Sequence, residues 1–169
     1  MALGLTQPTG DLLPIVKYDA RQGAFSKMDR RQSAQGDWEN VPVPWPDPTF
    51  LADLYHIEVG WISFASGRPD LRLVPLGAEL PAKQDTTDAK QGFRLLIKLP
   101  ASEGGEIRHF SHTGMGVVKA FDELHDRFLE APESKDEGKV PVVSVTDVKP
   151  VKTRQGAVNY APEFTISKW

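Results

Sequence analysis

Residues 112–169 read "HTGMGVVKAFDELHDRFLEAPESKDEGKVPVVSVTDVKPVKTRQGAVNYAPEFTISKW", and a change of period inside this stretch decides the fold. Val117, Val118, Phe121, Leu124, Phe128 and Leu129 recur at helical spacing, while Lys119, Asp122, Glu123, Asp126, Arg127 and Glu130 take the opposite side. This predicts one amphipathic helix of about four turns, capped at its start by Thr113 or Ser111 and ended by Ala131-Pro132. After an acidic loop the period drops to two. "KVPVVSVTDVKPVK" predicts a long strand, "RQG" a turn, and "AVNYAPEFTISKW" a closing strand with Phe164 and Ile166 on one face.

Upstream of the helix the chain reads as strands throughout. Ile15 to Asp19 and Ala24 to Met28 flank "ARQG", a connection of hairpin length. Four prolines in "GDWENVPVPWPDP" argue against a central strand beyond Val41, leaving a short strand around Trp38 and an extended connector. In "DLYHIEVGWISFAS" the alternation predicts one long strand, bent or bulged at Gly60. "LRLVPLG", "GFRLLIKLP" and "IRHFS" supply three more.

Strands, one helix, then two long strands is the order of a five-stranded Greek-key barrel of the OB type, with its helix between the third and fourth strands. The expectation is a single mainly β domain over residues 1–169. Residues 1–50 form an N-terminal hairpin and Pro-rich extension, and residues 51–169 form the barrel. A final strand that closes a barrel has no reason to fray.

Composition narrows the function classes. The chain has 169 residues, 40% of them hydrophobic and 25% charged, as soluble domains do, and it has no cysteine, so thiolate metal sites and disulfides are excluded. The N-terminus lacks a basic region followed by an apolar run, and no stretch reaches the roughly 20 apolar residues of a membrane span; the expectation is a cytoplasmic protein with no membrane partner. The formal net charge is -3, yet Lys139, Lys149, Lys152, Arg154 and Lys168 outnumber Asp147 and Glu163 after residue 138, whereas acids dominate residues 120–138. Such segregation can leave one positive face on an acidic protein.

Motifs of catalysis are missing: there is no GxxxxGK[ST], GxGxxG, GxSxG or HExxH. His109 and His112 lie three apart, but further metal ligands are not offered nearby. Asp122, Glu123 and Asp126 are spaced as a solvated helix face. No cofactor or metal is expected. What remains is aromatic residues interleaved with bases: Tyr18, Arg21, Phe25, Lys27 and Trp38; Trp61, Phe64 and Arg72; Arg94 and Lys98; Arg108 and Phe110; Lys149, Lys152, Arg154 and Tyr160. Cations that track phosphates and rings that accept unpaired bases are what single-stranded nucleic acid requires. The competing reading places the rings in the core, as expected for Phe121, Phe128 and Phe164; for Trp61 and Tyr160 both stand.

Two stretches, "PIVKYDARQGAFSKMDR" and "VKPVKTRQGAVNYAPEFTISKW", resemble a family of bacteriophage and prophage single-stranded DNA-binding proteins with an OB-fold. The resemblance implies a non-enzymatic protein in the bacterial host cytoplasm that coats single-stranded DNA, or RNA, without sequence preference during replication or recombination, with homo-oligomers as a further expectation. It points to Tyr18, Arg21 and Lys27 in the hairpin and to Lys152, Arg154 and Tyr160 at the last turn. It departs from replicative binders that end in an acidic tail, since this sequence ends in "TISKW". The alternatives are a phage structural or assembly protein meeting a partner through the 42–48 segment, and a metal-dependent nuclease using His109 and His112.

Overall fold

The computed structural model describes residues 15–63, 70–82, 89–136, 138–152 and 156–169, and for residues 30, 31, 38, 40 and 70 the backbone alone. Alternating apolar residues generate ten strands: β1 (Ile15–Asp19), β2 (Ala24–Gln32), β3 (Trp38–Pro44), β4 (Thr49–Ala52), β5 (Glu58–Ser63), β6 (Asp70–Pro75), β7 (Lys90–Lys98), β8 (Ile107–His112), β9 (Val142–Lys152) and β10 (Val158–Lys168). The helix α1 spans Met115–Glu130 between β8 and β9. All ten strands join one sheet in the order β10-β9-β4-β7-β8-β1-β2-β3, and β5 joins β7 and carries β6 on its other side. The sheet curls into an open half-barrel.

The mainly β class with one helix is what the sequence predicts, but ten strands stand where five are expected, and three local readings need correction. First, residues 53–63 are not one strand, and the rest of the expected strand, 64–66, lies outside the described residues. The long β7 is shared by two partners on one edge, β4 at Lys98 and Ile97 and β5 from Arg94 to Lys90, and the chain turns at residues 53–57 to pass from one to the other. Leu54 and Ile57, which a strand would send to opposite faces, are both buried, and their apolar side chains let the stretch pass for one strand in the sequence. Second, β3 extends to Pro44, beyond the short strand expected around Trp38, because among the described residues it pairs with β2 alone and is an edge strand, where a missing N–H costs no ladder bond. Third, α1 starts at Gly114 with no side-chain cap, and neither Thr113 nor Ser111 serves. The Gly114 amide instead donates to Nδ1 of His112 at 2.8 Å.

The concave side of the sheet and the apolar stripe of α1 enclose one core. Val117, Phe121, Leu124 and Phe128 of α1 face Phe93, Leu95, Ile97, Phe110 and Phe164, with Phe121 stacked on Phe93 at 4.4 Å between centroids and edge-on to Phe164 at 5.0 Å. Val16, Tyr18, Phe25 and Trp45 belong to the same core, so the N-terminal hairpin is part of it.

Candidate nucleic-acid interface

Strand registers bring several predicted residues to one end of the sheet. Trp61 of β5 pairs with Gln91 of β7 and Arg72 of β6. Two residues further along β7, Phe93 pairs with His112 at the end of β8. The His112 ring meets the Tyr18 carbonyl at 3.1 Å, and the Ala20 carbonyl in the β1–β2 turn accepts the Tyr160 amide at 2.7 Å. Tyr18 Oη donates to the Tyr160 carbonyl at 2.6 Å. The turn holding Arg21 therefore sits against Tyr160 of β10 and Val148 of β9, the strand that also carries Lys149 and ends at Lys152. Arg21, Arg72, Lys149 and Lys152 are exposed, and the Trp61 ring is half-buried with its Nε1 donating to the Pro81 carbonyl at 2.8 Å. Lys149 pairs with Glu163 at 2.8 Å; that hydrogen bond and charge raise the ammonium pKa.

The other predicted residues separate into outward-facing and inward-facing ones. Arg94 and Lys98 lie on the convex side of β7, where Lys98 is exposed and Arg94 is bound through Nε and Nη2 to Glu58. Tyr18, Phe25 and Phe110 are core residues, with Tyr18 only 3% exposed, so these rings cannot offer a face to a base. Burial and the nearby Asp19 charge push the Tyr18 hydroxyl to about 12, keeping it a donor. Arg108 is also turned inward: its Nη2 pairs with Asp29 at 2.8 Å and Glu106 at 2.9 Å, and its Nη1 reaches the Ile15 carbonyl. Lys27 is bound to Glu103 and largely covered. Trp38 opens β3 opposite Gln32. Phe64 and Arg154 lie outside the described residues.

The sequence reading missed a feature of the convex side. Register aligns Leu96, His109, Ile15, Met28 and Pro42 in one row across β7, β8, β1, β2 and β3. Ile15 is 45% exposed, Leu96 36%, and Ile107 beside them 49%, with exposed Lys17 and Lys98 flanking the row. The alternation of Val16 and Tyr18 with Lys17 and Asp19 held the signal for Lys17. Nothing local marked Ile15 or Ile107, because their neighbours come from other strands.

Among the described residues no three His, Asp or Glu side chains converge as metal ligands. His112 uses both ring nitrogens on backbone groups, and burial lowers its pKa against the opposing pull of the Tyr18 carbonyl and Asp19. Compared with family models, curated proteins and solved structures, the chain gives no match to any of them.

Proposed function

We propose that this chain is an OB-fold protein that binds and protects single-stranded DNA without sequence preference, in phage or prophage replication or recombination. The observation that carries the reading is topological. β4, β7 and β8 run consecutively, α1 follows, and β9 returns to lie beside β4, giving the spatial order fourth-first-second-third of a Greek key, with β10 added beyond β9. On this reading β6 is an insertion between the first and second strands, and β1–β3 is an addition alongside the third.

Ligands of OB-folds lie across the second and third strands, between the loops that join the first strand to the second and the fourth to the fifth. Here those strands are β7 and β8, whose convex side carries Lys98, while Lys17 of the neighbouring β1 lies on the far side of the Leu96–His109–Ile15 row. Trp61 and Arg72 belong to the first connection, and Lys152 and Tyr160 border the second. Phosphates would follow Lys98, Lys17, Arg21 and Lys152, and the half-buried Trp61 ring, on the other face of the sheet from Lys98, would supply a stacking surface worth about 1–3 kcal/mol per base. Ile15 and Leu96, on either side of the buried His109, and Ile107 beside them would accept sugars and base faces, and these exposed side chains also favour the second reading, a structural or assembly protein docking a partner there.

Anisotropy of a labelled unstructured oligonucleotide separates the readings. Binding is expected at micromolar concentration or tighter in low salt, weakening with a log–log slope of about -0.7 per phosphate contacted. No binding at low salt rejects the proposal and favours the protein partner; shortening of the strand when magnesium or manganese is added favours a nuclease.

A further inference from the structure

Resting on that reading, we infer that Tyr18 and Gly23 are positioning residues: they fix the β1–β2 turn to the β9–β10 hairpin at Tyr160 and Val148, so that Arg21 and Lys152 grip the polynucleotide as one cationic clamp. Neither touches the ligand. Tyr18 is buried beneath the turn, with its ring against Phe25 at 4.6 Å and His112 at 5.7 Å between centroids, and its hydroxyl reaches across to the Tyr160 carbonyl at 2.6 Å. The same residue of β10 donates its amide to Ala20, so Tyr160 is held at both backbone groups by the hairpin 142 residues away in the chain. Gly23 closes the contact from the turn's other side. Its φ is +66°, and a Cβ there would stand 2.8 Å from Val148 Cγ1 and 3.0 Å from Tyr160 Cβ.

These bonds join two hairpins that share no ladder. Without them the turn would be tied only through β1 and β2, and the distance from Arg21 to Lys152 would fluctuate; a charge with a fluctuating position neutralises a phosphate less completely and pays more to be ordered on binding. The opposite charges at this end, Asp19 and Asp147, make placement matter more, since a displaced guanidinium finds them instead.

Salt-dependent anisotropy tests this with Y18F, G23A, R21A and the double variant Y18F/R21A, each checked for a wild-type far-ultraviolet circular dichroism spectrum and a cooperative melt. Y18F keeps the ring and its packing and loses the hydroxyl alone. Y18F is expected to bind the oligonucleotide several-fold more weakly, with the salt slope reduced by about 0.7, one contact on a single strand. G23A should do the same by pushing the turn away, R21A should match both, and Y18F/R21A should lose no more than R21A. Amide exchange at Tyr160 should quicken in Y18F without any nucleic acid. Wild-type affinity and slope in Y18F, or fully additive losses in the double variant, overturn the clamp while leaving the proposed function standing. A wild type that binds no strand overturns both.

Discussion

Gly60 and Gly92 stand opposite each other across β5 and β7, each under a neighbouring strand's carbonyl. A Cβ on Gly60 would overlap the Arg72 carbonyl, and one on Gly92 the carbonyl of His112. Close approach of backbones, and not a bulge, is thus the reason for Gly60, whose pairings to Leu73 and Gly92 continue without a register shift. The sequence displays the missing side chain but not what fills its place. G60A should lower stability by roughly 1–3 kcal/mol, the usual cost of overpacking, read from the denaturant midpoint; an unchanged midpoint would mean that β6 can move aside freely. His112 leads to a pH prediction. Burial lowers its folded pKa below the ordinary 6.5, so folding favours the neutral ring. Its contribution is complete above 6.5 and is lost as the pH falls toward the lowered folded value, because the charged ring can no longer accept the Gly114 amide. H112N offers an acceptor to Gly114 and does not titrate. Melting temperature should therefore fall less steeply with acid in H112N than in the wild type; equal slopes would remove His112 from the balance.

At the scale of elements, the helix was legible because its partner is its own periodicity. Val117, Phe121, Leu124 and Phe128 bury as the spacing predicts, whereas Leu129, on the stripe's margin, is 59% exposed. L124A, at a position with no exposed surface, should cost about 2–5 kcal/mol, measured by denaturant unfolding; a loss well below this range would mean that α1 settles into the gap. The β9–β10 hairpin was legible for the same local reason, and its basic side chains were found with it. What the sequence could not display is the pairing of Lys149 with Glu163, two strands' contribution to one contact. That pair competes with a phosphate for the ammonium. E163Q should tighten oligonucleotide binding, on the order of two- to five-fold at low salt, the scale of an exposed ion pair, with the gain vanishing at high salt. Weaker binding in E163Q would show that the carboxylate aims Lys149 at its ligand.

For the whole molecule, the aromatic residues and bases divide by the curvature of the sheet. Interleaving along the chain cannot tell Arg108 from Lys98, since a strand shows alternate residues to both sides and only the closed side has a core. The N-terminal hairpin illustrates how far that core reaches. Sequence order makes it an extension to a barrel of residues 51–169, yet Phe25 packs on Phe110 at 5.9 Å and Phe164 at 6.3 Å, and β1 runs parallel to β8. Arg108, with a side chain 5% exposed, draws on Asp29 and the Ile15 carbonyl of that hairpin. Removing residues 1–50 would uncover Phe110 and Phe164 together and leave a buried guanidinium with Glu106 as its one remaining described carboxylate, a loss that buried charges tolerate poorly. The fragment 51–169 should accordingly lack near-ultraviolet dichroism and a cooperative melt, and should bind a hydrophobic dye, while the full chain unfolds in one transition. A fragment that melts sharply would mean that β1–β2 is an arm laid on a finished barrel. Its turn would then have no rigid base from which Tyr18 could hold Tyr160, and Arg21 would meet the strand on a swinging lever.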